Sequence, residues 1–403
     1  MKVLLTFLLA LPVISYAGDW PGFLGPQGNG SVAEELHIDW NDEAPKTLWT
    51  ADIGKGCSSI SVAGGLAVTV GNSDNKDTVW CFDAATGEVE WKDTYEEKLD
   101  PKFYTGGPGA TPLIHEGRVY GLSKSGRLAC YDLKSGKIAW TKSFKKDFKG
   151  KAPMWGYSAS PTIFEDLLLC LPCPKSGALV ALDKKSGELR WQSEDAAKAG
   201  YSAPVIADYR GKKTAFIFHG RKLVAYDLAA KGVVLFDYTW RTPYDVNASN
   251  PVFQNNMLHL SSGYGMGNIV LDLSGDEPKE LHRDRERRMI FQNALPKEGD
   301  IIGVFGDKGM KAEVYRMEMK TGKLKWVTPI SGSRGSALMS GDKLIILSET
   351  GELIFGKESG NQFSITGRHK ILPKLCWSPP AFSDGRLFAR SNGGKLVCVS
   401  LKK

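Results

Sequence analysis

Few side chains in this 403-residue chain stand at spacings that chemistry requires. Cys170 and Cys173, in LLLCLPCPKSG, have the C-x-x-C spacing. In an exported chain it can close a local disulfide. A strand turns residues three apart to opposite faces, so the bond needs a bend at Pro172, and two free thiols are the alternative. Zinc would need a second ligand pair, which the sequence does not offer. With 7 Cys in all, at least one thiol stays unpaired. None of the 6 His sits in a nucleophile motif, so Ser/His/Asp catalysis has no support. There is no Cys-Cys pair and no C-x-x-C-H haem motif. A third group is aromatic and polar: Tyr104, Trp155, Tyr157, Tyr201, Tyr244, Asn247, Arg334 and Trp377. Tyr, Trp and Arg of this kind carry recognition of a peptide, a glycan or a flat ligand.

What positions these residues is a repeat. Leu179–Trp191 (LVALDKKSGELRW) reads as two alternating strands around a turn. Asp and Ser cap the turn with short side chains, and Gly takes the positive φ that tightens it. Close copies stand at Val79–Trp91, Leu128–Trp140 and Val314–Trp326. Eroded copies stand at Leu223–Phe236, Ile269–His282 and Leu353–Ile365, and Leu396–Leu401 is a first half alone. The Asp anchors 83, 132, 183, 227 and 272 are 49, 51, 44 and 45 residues apart. Ahead of each hairpin lies a second repeat of strand, polar turn and strand, such as SSISVAGGLAVTV from Ser58. Eight units of four strands at this period predict an all-β, eight-bladed β-propeller with four-stranded antiparallel blades.

The missing half of the eighth hairpin is supplied by Lys46–Ile53 (KTLWTADI), with Trp49 in the Trp position. The N-terminal strand then joins the C-terminal blade and closes the ring over residues 46–403, leaving no open sheet edge. Residues 18–45 are rich in Gly and Pro near their start and are expected as an extended arm, with Trp20 and Phe23 packed on the propeller surface. Residues 1–17 (MKVLLTFLLALPVISYA) have the layout of a cleavable signal peptide, with no Cys at the cleavage point. A soluble periplasmic or secreted protein without a transmembrane segment is expected. Removing that segment takes away Lys2 and no acid, leaving a formal charge of +6. So modest an excess, dispersed over turns, excludes a nucleic-acid footprint. The one dense charge run, His282–Arg288, alternates basic with acidic residues and reads as a solvated loop, or a rim patch for an acidic partner.

The repeated pattern, and the opening W-P-x-F-x-G-P-x-x-x-G at Trp20–Gly30, resemble the pyrroloquinoline-quinone (PQQ) repeat family of eight-bladed propellers, a WD40/YVTN-like architecture. That family includes quinoprotein alcohol dehydrogenases and the BamB-like assembly propellers of the outer membrane. The resemblance implies that Trp49, Trp91, Trp140, Trp191 and Trp326 dock one blade on the next rather than stack a cofactor. Cys81, Cys130 and Cys398 share a repeat position that Ala181 and Ala225 fill elsewhere, and read as small buried residues. One Asp per blade is likewise a turn cap, not a metal ligand or base. The family's dehydrogenases hold PQQ beside Ca²⁺ under a disulfide of adjacent cysteines, and no Glu/Asn/Asp calcium set can be matched here. The reading adopted is a non-catalytic binding or assembly scaffold. It is expected to act as a monomer on a protein or polysaccharide partner of the envelope, with no cofactor or metal. A PQQ- and Ca-dependent dehydrogenase is the alternative. In either case the loops preceding the innermost strands, which crowd the central channel, carry the site.

Overall fold

A computed structural model describes residues 18–40 and 43–402. The signal-like segment lies outside the described residues. Among the described residues, thirty-two strands form eight four-stranded antiparallel sheets, with a five-residue helix at Phe144–Phe148 and a 3₁₀ turn at Pro243–Asp245. No helix among the described residues is long and apolar enough to cross a membrane.

Seven blades are built from consecutive strands, the first being Ser61–Ala63, Leu66–Ser73, Lys76–Asp83 and Val89–Glu96. The first strand of each blade is innermost. Those of blades 8, 1 and 2 approach one another around the axis. The fourth strand is outermost and half exposed, as in Val89–Glu96, where Trp91 is the one buried residue. The eighth blade takes its outer strand, Thr47–Asp52, from the N-terminus, and Trp49 lies opposite Cys398 in antiparallel register. The ring therefore closes as the divided hairpin requires. Arg390 seals the same junction: fully buried in blade 8, it donates to the carbonyls of Gly54, Ser58 and Val70 at 2.9, 3.2 and 2.6 Å.

The Asp anchors cap their turns. Asp83 Oδ1 accepts the N–H groups of Ala85 and Thr86 at 2.8 and 2.7 Å, and Asp183 Oδ1 those of Lys185 and Ser186 at 2.9 and 2.8 Å. These bonds favour the ionised form. The Asp83 carboxyl is accordingly held below its ordinary range, first by the Thr86 N–H. Opposite four of the tryptophans stands a small residue beside a β-bulge: Cys398 faces Trp49, Cys81 faces Trp91, Cys130 faces Trp140, and Ala181 faces Trp191, whereas Trp326 faces Arg316. In the eroded copies Phe236, His282 and Gly367 take the Trp place before the bulge. The indoles of blades 8, 1, 2 and 3 lie on the turn glycine of the next blade. A Cβ on Gly87, Gly136, Gly187 or Gly232 would fall 2.5–2.7 Å from Trp49, Trp91, Trp140 or Trp191 respectively. The N–H groups of Trp49 and Trp91 donate to Ala84 O at 3.2 Å and Leu133 O at 2.8 Å in the neighbouring blade.

The structure specifies two features that the sequence left open. The arm packs on the propeller over its inner strands. Trp20 is buried and pairs with Val62 of the innermost strand of blade 1, and Pro21 O accepts from Ile114 N of blade 2. Gly30 and Val32 exchange backbone bonds with Met339 of blade 7. A segment that touches the inner strands on both sides of the ring crosses the axis, because the apolar inner strands offer Trp20 and Leu24 a dry seat that the rim does not. The arm then runs outward, with Trp40 against Phe355 of blade 7. Of the two alternatives for Cys170 and Cys173, the structure has two free thiols. Cys170 ends a strand, whereas Cys173, past the Pro172 bend, takes a φ of 48° and turns its sulfur to Ala178 O at 3.6 Å and His219 Nδ1 at 3.7 Å.

Asp77 is a buried acid opposite Asn72, whose Nδ2 donates to Asp77 Oδ1 at 2.7 Å. Asp77 Oδ2 and Asn72 Oδ1 are both buried without partners. Burial, opposed by the Asn72 amide and reinforced by Glu97, pushes the carboxyl up to about 7. A proton on Oδ2 supplies the donor that this acid–amide pair lacks.

Two predictions follow from packing and protonation. Gly117→Ala, at a φ of 72° with open space around the new Cβ, should cost about 1–2 kcal/mol of left-handed strain. Gly136→Ala has similar strain at φ 68° but sets its Cβ 2.5 Å from Trp91, and should lose about 1–3 kcal/mol more by overpacking. Urea midpoints decide, and equal losses would show the ring does not need the contact. For Asp77 the folded value lies above the ordinary 3.8, so between about pH 4 and 7 the folded state holds a proton that the unfolded chain releases. Stability from this group therefore falls as pH rises through that window. Asp77→Asn should flatten the decline in melting temperature between pH 5 and 8 relative to the parent.

Candidate functional site

The loops that join one blade's outer strand to the next blade's inner strand all open on one face. Each of the eight contributes to one cavity of about 400 Å³, through Cys57, Tyr104, Ser158, Tyr201, Ala248, Phe291, Arg334 and Trp377. Turns between second and third strands reach the same face and add Tyr264, Asp307 and Lys308. Phe23 of the arm also lines it. Because the arm crosses the axis at the level of the inner strands, Phe23 is the floor and the cavity is a cup.

Its walls differ in chemistry. One side is aromatic. The Trp155 ring lies 6.2 Å from Tyr201 and 6.1 Å from Tyr244, and Tyr244 lies 6.0 Å from Tyr264. Trp155 is fixed by donating Nε1–H to Lys102 O at 2.8 Å and its backbone N–H to Tyr201 Oη at 3.4 Å. The Lys124 ammonium sits 5.6 Å from the centre of the Tyr104 ring and is held by Leu99 O, Asp100 O and the Asp100 carboxylate. Burial pushes the Tyr201 hydroxyl up to about 12 and the Tyr104 hydroxyl higher, so both are neutral donors at physiological pH.

The other side is charged and self-paired. The Arg334 guanidinium lies 5.5 Å from Phe291 and 5.6 Å from Trp377, rings that are themselves 4.9 Å apart. Its Nη1 meets Glu349 Oε1 at 2.9 Å and its Nη2 meets Asp307 Oδ1 at 3.2 Å. Trp377 Nε1 donates to the same Glu349 oxygen at 2.8 Å, and Arg288 reaches Asp307 Oδ2 at 3.3 Å. Two guanidiniums and two carboxylates thus alternate, which orients Arg334 without leaving either acid free to act as a base. Cys57 is no better suited to nucleophilic work: burial, opposed by Arg390, pushes its thiol up to about 11.

Of the eight residues singled out from sequence, Tyr104, Trp155, Tyr201, Arg334 and Trp377 line the cup. Tyr244 stands at its rim, packed on Trp155 and Tyr264. The other two belong to the framework. Tyr157 is buried against Phe144 and donates to Pro172 O at 2.9 Å. Asn247 is buried with its amide spent on His219 O, Trp240 O and the Ser262 hydroxyl. Each completes a loop's backbone bonding, so neither faces a ligand. Sequence reasoning missed Phe23, Tyr264, Phe291, Asp307 and Lys308. For Tyr264 and the Asp307-Lys308 pair the signal was available, since in a four-stranded blade the turn after the second strand opens on the same face as the interblade loop. In the His282–Arg288 run three of the four arginines are paired, Arg283 with Glu280 at 2.5 Å, Arg287 with Asp284 at 3.1 Å and Arg288 with Asp307, which leaves Arg285 exposed.

Among the described residues no three His, Cys, Asp or Glu side chains gather where they could hold a metal ion. The cup's one lining carboxylate, Asp307, is already shared by two arginines. A Ca²⁺ ion needs six to eight oxygens, so the lining does not fit a calcium-assisted quinone.

Solved structures place the architecture among known propellers. The chain is similar to BamB from Moraxella catarrhalis, with a TM-score of 0.60 at 14% identity over 89% of this chain and 98% of that one. It is similar to the computationally designed Ika8 protein, with a TM-score of 0.56 at 12% identity over 87% of this chain and 98% of that one. It is also similar to quinohemoprotein alcohol dehydrogenase from Comamonas testosteroni, with a TM-score of 0.65 at 12% identity over 95% of this chain and 80% of that one. No curated protein matches it significantly. At these identities the likenesses establish the fold. A family model described as outer membrane protein assembly factor BamB matches residues 75–328, well over half of the chain. The chain therefore belongs to that family of PQQ-repeat propellers.

Proposed function

We propose that this protein is an exported, non-catalytic binding propeller that receives a segment of a protein or polymer partner in its loop-face cup. The observation that carries the reading is the convergence of all eight interblade loops on one cup with an aromatic wall and a closed floor. Concave, mostly apolar sites with a few placed polar groups are where proteins take ligands. Around the mouth, Phe103 is 96% exposed and Tyr244 62% exposed. Large apolar side chains left bare at the rim of a site mark contact with something wider than the site itself. The quinoprotein alternative is disfavoured by the side chains: the cup offers one carboxylate, and it is engaged. Export rests on the signal-like residues 1–17, and with a modest net charge and a closed ring of blades the protein is read as a monomer in the periplasm or outside the cell.

The test is site-specific photocrosslinking in the cell envelope. A photoreactive phenylalanine analogue at Phe103 should give a discrete adduct, whereas one at Val89 on an outer strand should give none. Adducts confined to Val89, or titration of the purified protein showing calcium-dependent PQQ binding with dye reduction, would overturn the reading. Trp155→Ala should lower the yield at Phe103 at least about tenfold, the order expected when a central aromatic anchor is removed.

A further inference from the structure

The binding reading leaves open what enters the cup, and the following rests on that reading. We propose that the cup takes the protruding tip of a partner protein, a loop or chain end that places an apolar or aromatic residue against Trp155 and Tyr201 and an acidic residue beside Lys308 and Arg334.

The first ground is charge. The cup is lined by three cations, Lys102, Lys308 and Arg334, and by one acid, Asp307. Arg288 and Arg334 are balanced by Asp307 and Glu349, while Lys102 and Lys124 share the single Asp100 carboxylate. Lys308, exposed on the turn at the mouth, enters no ion pair among the described residues, and only its backbone N–H is engaged, by Asp307 at 2.7 Å. The local balance is therefore positive, with the free charge at the rim, where it can meet an anion without the desolvation cost that a buried pair carries. Arg334 adds a second feature. It is nine-tenths buried, both its terminal nitrogens are bound, and its Nε–H is buried without a partner. A buried unpaired donor costs on the order of 1–3 kcal/mol, so the wall holds Arg334 in place at some cost to its own stability.

The second ground is shape, and it favours a protein over a polysaccharide. The floor at Phe23 stops any chain from threading the axis, so only a tip can enter. The cavity of about 400 Å³ holds one or two side chains. Outside it the rim exposes Phe103 and Met154 beside Tyr244 and Tyr264. Flexible apolar side chains around a deep cup fit the flank of a protein surface. A carbohydrate site would instead need polar groups there for the sugar hydroxyls.

The test uses the mature chain, a displayed random heptapeptide library and an alginate oligomer as the anionic glycan probe. The expected result is enrichment of heptapeptides that join Trp, Phe or Tyr to Asp or Glu, with no alginate binding. Lys308→Glu, on an exposed turn where folding is not at stake, should weaken the best peptide about tenfold, by loss of one attraction and gain of one repulsion. It should also shift the library toward Lys and Arg. Trp155→Ala should abolish selection by either form. Peptides lost with Trp155→Ala but lacking an acidic preference would overturn the charge assignment and leave the cup as a binding site. Peptides indifferent to both substitutions would place binding elsewhere and overturn the cup itself. Alginate binding without peptide selection, or selection of nothing, would overturn the protein-tip assignment.

Discussion

The contact on which this ring depends is an indole laid flat on a glycine. Trp49, Trp91, Trp140 and Trp191 each cover the turn glycine of the next blade, so closely that even a methyl group there would collide. The geometry explains why three residue types recur together. Asp caps the turn, Gly gives it both the positive φ and the bare surface, and the small residue opposite the Trp leaves room for the bulge that tilts the ring outward. Because blades 8, 1, 2 and 3 each present an indole to the glycine of the next blade, the interaction is directional. The run starts where the last blade meets the first, with Trp49 on Gly87, and that contact needs the outer strand that the N-terminal end supplies to blade 8. Arg390 reinforces that one non-consecutive junction with bonds to three carbonyls of the opening segment.

Where the lock is eroded, other chemistry takes over. His282 stands in the indole position above Gly322, where an added Cβ would fall 2.4 Å from its ring. Trp326 keeps its indole but turns its N–H to the Glu358 carboxylate of blade 7 at 3.1 Å. Glu358 also binds Arg316 and Lys297, so blades 6 and 7 are joined by a partly buried ion network. Such a network is costly to desolvate and fixes geometry more than it adds stability. The two kinds of junction fall in different parts of the ring: indole–glycine contacts run from blade 8 through blade 4, and beyond them the junctions are mixed, with an aromatic cluster of Phe216 and Phe253 between blades 4 and 5, the ion network between blades 6 and 7, and an apolar cluster between blades 7 and 8. The cup shows the same division, with its aromatic wall on the first set of loops and its ion-paired wall on the second.

The sequence was legible wherever one position recurred with one physical task. Eight copies of a hairpin made the blade count secure, and Lys46–Ile53 could be matched to the orphan strand Leu396–Leu401 because Trp49 completed the pattern. The loops have no such redundancy. Tyr157 and Asn247 are the same residue types as Tyr201 and Tyr104's polar neighbours, and only their partners, Pro172 O and His219 O, show them to be framework. The path of the arm was illegible for a related reason. A Gly- and Pro-rich segment declares that it is not a strand, but where it goes is decided by the seat offered to Trp20, and that seat is assembled from strands far away in sequence. Phe23 as a floor could not have been read at all.

The arm also explains why the cavity opens toward the loop face. An eight-bladed ring leaves an axial gap too wide for its own inner strands to fill, and in most of its length that gap would be a wet channel open at both ends. Here Trp20 and Leu24 are buried in it and backbone bonds to Val62, Ile114 and Met339 tie the segment across. The channel becomes a cup with an apolar base at Phe23. A base of low polarity lowers the local dielectric, which strengthens the polar contacts of Tyr201 and Arg334 above it. The same closure holds Arg334 in place, since its two carboxylates are worth more where water competes less. A segment that reads as a leader to the fold thus sets both the depth of the site and the polarity of its walls.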